Sequence, residues 1–283
     1  MSDGKSFAER ENRPGSELYT VLHEGIPDFL RSSIVTWIDA LVPESDHTTG
    51  SDLLRHAWLN MVERNARVTL PGGNTFHRVE ALEKLVYKDE EATLRVLDVL
   101  VPMSPNRGRW LRAVLREAGS EWTVWDADDP VRLTRVVSKD LQDIAESLVG
   151  GGRVSGAALG YAWRDAYGQA PDGQAAFNWA IKAIEAALWP IVEPKNEKAT
   201  LGTMLPEMRK ADRFSVLFIG QDALVDFAAS LSLLWRSQYR HGTGEAATDG
   251  SRIANTLEQG RAAVLLATVV VQWLVDGVLT PRA

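Results

Sequence analysis

Residues 173–190 read GQAAFNWAIKAIEAALWP. Phe177, Ile181, Ile184 and Leu188 recur at intervals of three and four, and Asn178, Lys182 and Glu185 form a polar stripe beside them. This is the pattern of a helix with one face in a core. Pro190 cannot donate to a helical ladder, so the helix is predicted to end there. One amphipathic helix cannot bury its own apolar face, and the segments around it supply partners.

Toward the C-terminus, VEPKNEKA (residues 192–199) is predicted to be a loop, and Thr200 can cap a short helix to about Arg209. From about Gln221, the residues Leu224, Phe227, Ala228, Leu231, Leu234 and Trp235 mark a third helix, with Gly242 as its C-terminal stop. After the turn-rich GTGEAATDG, Ser251 can cap a last helix to about Val278. Its apolar run, Ala262 to Val275, is too short to span a bilayer and contains Gln272, so it is predicted to be a buried helix. Four helices with short connections predict an antiparallel bundle. Its core is expected to hold Phe177, Ile181, Leu224, Leu231, Leu234, Val264 and Val271.

Toward the N-terminus, residues 154–168 are predicted to form a lead-in helix, preceded by GGGRVSG (residues 150–156). A glycine cluster can cradle phosphate. A Walker-type loop, however, needs a Gly-Lys-Ser/Thr ending and a preceding strand, and neither is present. The cluster therefore reads as a linker, and the domain boundary is placed here. Residues 1–150 then form a mostly helical N-terminal domain. A stretch from Ile26 to Leu41 stops at Pro43, Ser51 can cap the next helix, and residues 78–101, 108–118 and 137–148 are also helical in pattern. SEWTVWDADDPVRLTRVV (residues 120–137) differs: two runs rich in Val, Trp and Thr flank a turn, which predicts a small β-hairpin. The first twenty residues are predicted to be a loose arm, and they do not form a signal peptide.

Composition narrows the function classes. The absence of cysteine excludes disulfides and thiolate metal sites and suits a cytoplasmic location. The formal net charge is −7, and the acidic excess lies wholly in residues 1–150, with 18 Lys+Arg against 25 Asp+Glu; residues 151–283 hold 13 of each. A protein that coats duplex DNA is normally basic, so any nucleic-acid contact here is local. His23, His47, His56 and His77 show no metal-ligand spacing, and no metal or cofactor is expected.

The chemistry concentrates in LLWRSQYRHG (residues 233–242). Arg236 and Arg240 are four apart and share a face, and His241 lies in the last turn. Two guanidiniums and an imidazole at one helix end can converge on an anion. Arginine offers a planar fork to phosphate oxygens, and histidine exchanges protons near neutral pH. The same residues also complement the negative end of the helix dipole, which is a purely structural role.

RSQYRH (residues 236–241) resembles the Arg-x4–6-His signature of HEPN domains, and AFNWAIKAIEAALWPIVEPKNEKATLGTML (residues 176–205) resembles the front of the abortive-infection C-terminal type of that family. The resemblance covers about residues 155–280. It implies a HEPN-like helical bundle over 151–283, and a metal-independent endoribonuclease of a bacterial abortive-infection, phage-defence or toxin system. The alternative is a non-catalytic HEPN module that binds a nucleotide or a protein. Under the first reading Arg236 and His241 are catalytic, in a cleft shared by a homodimer. Arg240, Ser237 and Gln238 would position the RNA phosphate, and Lys182, Glu185 and Asn255 would support the site; Arg252 and Gln259 share a helix face with Asn255. The departure is Ser237, where the family often has Asn, Asp or His; serine donates a hydrogen bond but does not titrate. Residues 1–150 become a sensor or restraint, and the implied partners are RNA, a second copy, and an antitoxin or phage-derived trigger. No membrane contact is expected.

Overall fold

A computed structural model describes residues 25–44, 49–127, 130–210, 213–217, 223–237 and 254–282. The predicted N-terminal arm, Gln238, Arg240, His241, Gly242, Ser251 and Arg252, and two histidines, His23 and His47, lie outside these residues. The described chain is mainly α-helical, with two small antiparallel strand pairs. It divides into two compact units between Val136 and Val137. That division is one helix earlier than the glycine cluster, because residues 139–150 pack on the helix that follows them.

The first unit holds α1 (Arg31–Asp39), α2 (Thr49–Ala66), α3 (Thr75–Lys88), α4 (Glu90–Leu100), α5 (Arg109–Glu117) and the hairpin β1 (Trp122–Trp125) and β2 (Arg132–Arg135). Ile34, Ile38, Leu59, Leu82, Leu97 and Leu111 are fully buried in its core, and Val124 and Leu133 cover one side from opposite strands. The helix predicted over 78–101 is two helices. Asp89 takes extended backbone, ends α3 and caps α4 by accepting from the Ala92 N–H at 2.9 Å. Asn74 caps α3 in the same way through the His77 N–H. α2 starts at Thr49, two residues before the predicted cap Ser51.

Arg78, only 6% exposed, ties α3 to α2. It donates to Asn60 Oδ1 at 2.9 Å and Glu63 Oε2 at 2.7 Å, and meets His56 Nδ1 at 3.1 Å. Glu63 also accepts from the Leu70 N–H at 2.6 Å. These partners are satisfied only while the guanidinium is present. Arg78→Leu is therefore expected to lower unfolding stability by about 3 kcal/mol, the typical cost of leaving one member of such a pair alone. Urea denaturation checks it; a change of only a few tenths would show that water replaces the guanidinium.

The second unit holds α6 (Lys139–Gly150), α7 (Val154–Tyr167), α8 (Gly173–Val192), α9 (Leu201–Met208), β3 (Phe214–Val216), α10 (Ala223–Ser237), α11 (Leu257–Val275) and β4 (Leu279–Pro281). Phe177, Ile181, Leu231, Leu234, Val264 and Val271 are buried as predicted, while Leu224 is half-buried. α8 runs two residues past Pro190, since the ring removes one ladder bond near the end of a helix already held by packing. α11 starts after Thr256, whose hydroxyl accepts from the Gln259 N–H, and ends at Val275.

Helix directions follow from side-chain pairings. α7 runs against α11: Arg261 Nε donates to Ala166 O at 3.1 Å, and Trp163 Nε1 donates to Thr268 Oγ1 at 3.0 Å. α10 also runs against α11, with the Ser237 carbonyl beside Asn255 and Phe227 facing Trp273 at 6.3 Å between ring centroids. α8 runs parallel to α11, within a bundle expected to be mainly antiparallel. Asn255 N donates to Gln174 Oε1 at 2.8 Å at one end, and Trp189 and Pro190 share a cavity wall with Leu274 and Val275 at the other. Glycines permit the close approach at the first of these ends: a Cβ on Gly173 would lie 2.3 Å from Thr256 O, and one on Gly260 would lie 2.5 Å from Gly173 O. The strand pair β3–β4, absent from the sequence prediction, ties the chain after α11 to the segment before α10, matching Phe214 with Pro281. Three-residue strands carry too little periodicity to be read.

Candidate functional site

α10 carries the candidate motif. Phe227, Ala228, Leu231 and Leu234 bury one face, which leaves Arg236 and Ser237 exposed in its last turn. Ser232, one turn earlier, is buried and back-bonds to Ala228 O at 2.9 Å. Two arginines reach it. Arg236 Nε donates to Ser232 O at 3.3 Å, and Arg209 Nη2, from the end of α9, donates to Ser232 Oγ at 3.0 Å. Neither guanidinium has a carboxylate partner among the described residues. The neighbouring cations do: Lys210 and Arg213 both engage Glu207, whose carboxyl is held below its ordinary range chiefly by the hydrogen bond from Lys210.

Arg209 was not singled out from the sequence. It lies 27 residues before Arg236, at the end of another helix, so no local spacing links them. The only signal is a basic residue just past an amphipathic helix, which is too common to select it.

Ser237 and Asn255 meet. Asn255 Nδ2 donates to the Ser237 carbonyl at 3.1 Å and contacts Gln259 Oε1 at 3.3 Å. The C-terminus of α10 thus abuts the N-termini of α8 and α11, where opposite ends of helix dipoles attract. Those N-termini carry their own acceptors. Asp172 accepts from the Ala175 N–H at 2.9 Å. Glu258 is held charged, below its ordinary range, by its own backbone N–H and by the Thr256 hydroxyl. Arg209 and Arg236 are exposed and, among the described residues, hold no carboxylate.

Lys182 and Glu185 stand elsewhere. They lie roughly 12 and 17 Å along α8 from Gln174 at the usual rise of about 1.5 Å per residue, on a separate cavity. Lys182 Nζ rests on the Trp179 ring at 4.1 Å. Glu185 Oε1 accepts from the Leu201 N–H at 2.7 Å and so fixes the start of α9. Beside it, Gly202 leaves the space in which the Trp235 ring lies; a Cβ there would be 2.2 Å from that ring. Glu185 therefore reaches the motif helix through α9, the helix that also delivers Arg209. Of the two remaining histidines, His56 belongs to the Arg78 network and His77 lies edge-on to Phe76.

Among the described residues no helix is long and apolar enough to cross a membrane. No group of three His, Asp or Glu side chains among them is arranged to hold a metal ion. Compared with protein-family models, curated proteins and solved structures, the chain matches none.

Proposed function

We propose that the second unit is a HEPN-like ribonuclease module, acting in the cytoplasm of a bacterium in abortive infection or as a toxin, with the first unit as its sensor or restraint. The observation that carries this reading is the pair of guanidiniums, Arg236 and Arg209, gathered on Ser232 with no carboxylate partner among the described residues. Two exposed arginines from the ends of two helices suit a phosphodiester, whose oxygens accept paired N–H bonds.

RNA brings its own nucleophile. His241 takes the proton of a 2′-hydroxyl, the 2′-oxygen bonds to phosphorus, and the bond from phosphorus to the 5′-oxygen breaks. The leaving 5′-oxygen takes a proton, and a 2′,3′-cyclic phosphate remains. Arg236 and Arg209 bear the charge gathering on the phosphorane oxygens. Arg240 and Gln238 lie close in sequence to that charge and position the backbone. A homodimer with two motif helices across its axis supplies a second histidine to the cleft and keeps the interface self-complementary. An antitoxin or a phage-derived trigger would act through the first unit.

The alternative, a module that binds a nucleotide or a protein without cutting RNA, is favoured by Ser237, which offers no titrating partner to His241. The purified full chain, incubated with mixed-sequence RNA, separates the two. Cleavage that persists in chelator and leaves cyclic phosphate ends supports the ribonuclease, with light scattering giving the mass of a dimer. Intact RNA at every protein concentration transfers the site to the binding module.

A further inference from the structure

We propose that the cavity at the start of α7 is a binding site for a nucleoside phosphate, separate from the arginine pair. The glycine-rich GGGRVSG lacks the lysine and the strand of a phosphate loop, but the fold supplies a lysine from another helix. The cavity, about 1010 Å³, is bordered by Gly152, Arg153 and Ser155 at the start of α7, by Lys182 and Trp189 of α8, and by the end of α11. That volume suits a nucleotide-sized ligand.

Four features identify the ligand. Ser155 lines the cavity, and its hydroxyl makes no hydrogen bond among the described residues. A hydroxyl that opens on the cavity can bond a ligand oxygen. Arg153 makes no ion pair among the described residues, and Lys182 rests on the Trp179 ring rather than on a carboxylate. Two cations bordering the cavity fit a phosphate. Trp189 keeps 40% of its surface open while its indole N–H is fixed on Asn196 O at 2.9 Å, so its ring is a stationary stacking face. Two carboxylates also border the cavity. Glu185 is engaged by the Leu201 N–H, and Glu197 at the rim is an acceptor for the exocyclic amine of a base. A cationic end, an apolar ring face and one acceptor together describe a nucleotide better than free phosphate or an uncharged nucleoside.

Calorimetric titration of the full chain tests this with four probes: AMP, adenosine, inorganic phosphate and a 5′-phosphorylated RNA oligonucleotide. AMP is expected to bind, and adenosine and phosphate to bind far more weakly. Arg153→Ser with Ser155→Ala should weaken AMP by about tenfold per residue, the usual effect of losing a hydrogen bond to a charged group. Arg153 is exposed and Ser155 has no hydrogen-bond partner among the described residues, so melting curves should not change. Binding of the oligonucleotide alone, lost in the double variant, assigns the site to a strand end rather than a free nucleotide and supports it equally. No binding by AMP or the oligonucleotide at millimolar concentration, AMP no tighter than phosphate, or unchanged binding in the variant overturns the proposal. RNA cleavage does not enter this measurement, so the ribonuclease reading stands or falls separately.

Discussion

His241→Ala is expected to abolish RNA cleavage, and Arg236→Lys to reduce it severely. The histidine is the only group in the 236–241 motif that titrates near neutral pH. General acid–base catalysis is typically worth about 10²–10⁴-fold, and without the imidazole neither the 2′-hydroxyl nor the leaving oxygen exchanges its proton. The lysine variant keeps the charge. It loses the planar fork, so its contact with the phosphorane becomes a single point, and it loses the Nε donor that holds Arg236 on Ser232. Arg209→Lys should reproduce part of this loss, since it removes the second fork from the same serine. Arg236 and Arg209 are both exposed, so neither substitution should move the melting temperature. Initial rates on one RNA, with melting curves for each variant, decide the matter. Wild-type cleavage by His241→Ala would end the catalytic assignment and leave a phosphate-binding module.

Gly260→Ala is expected to loosen the second unit, although alanine is the better helix former. Propensity alone favours alanine by about 1 kcal/mol. The added Cβ would lie 2.5 Å from Gly173 O and 2.8 Å from Gly173 Cα, and backbone cannot step aside as a flexible side chain can. Overpacking of this kind costs about 3 kcal/mol. The clash therefore wins by about 2 kcal/mol, a fall of about 4–8 °C in melting temperature for a protein of this size. Gly150→Ala is the control. Nothing lies within 4 Å of its added Cβ, so it should be neutral or slightly stabilising. Equal melting temperatures for Gly260→Ala and the parent chain would show that α8 and α11 are not held by this contact.

The long helices were legible because burial imposes a period. Phe177, Ile181, Leu231, Leu234, Val264 and Val271 announce their faces by spacing, and all six are buried. The hairpin was legible because two short runs rich in Val, Trp and Thr flank a turn. Boundaries were less so. Asp89 breaks one predicted helix into two because its side chain caps the second, and aspartate by itself does not reveal whether it caps or faces water. Half of the candidate site was readable as well: Arg236 and Ser237 came from a local motif, and Asn255 from a shared helix face.

What the sequence determined alone was therefore local: which segments are helical, which faces are apolar, and where arginine and serine stand at one helix end. Tertiary structure decided the rest. It brought Arg209 to Arg236 through Ser232, brought α8 close to α11 at two glycines, paired β3 with β4, and placed Lys182 on the same cavity as Gly152. Each of these joins residues far apart in the chain. The physical reason is that helical and strand periodicities report only which side of an element is buried. Which element lies against that side depends on close packing between backbones, and a glycine, a serine or a lone arginine carries no periodic mark of the partner it will meet.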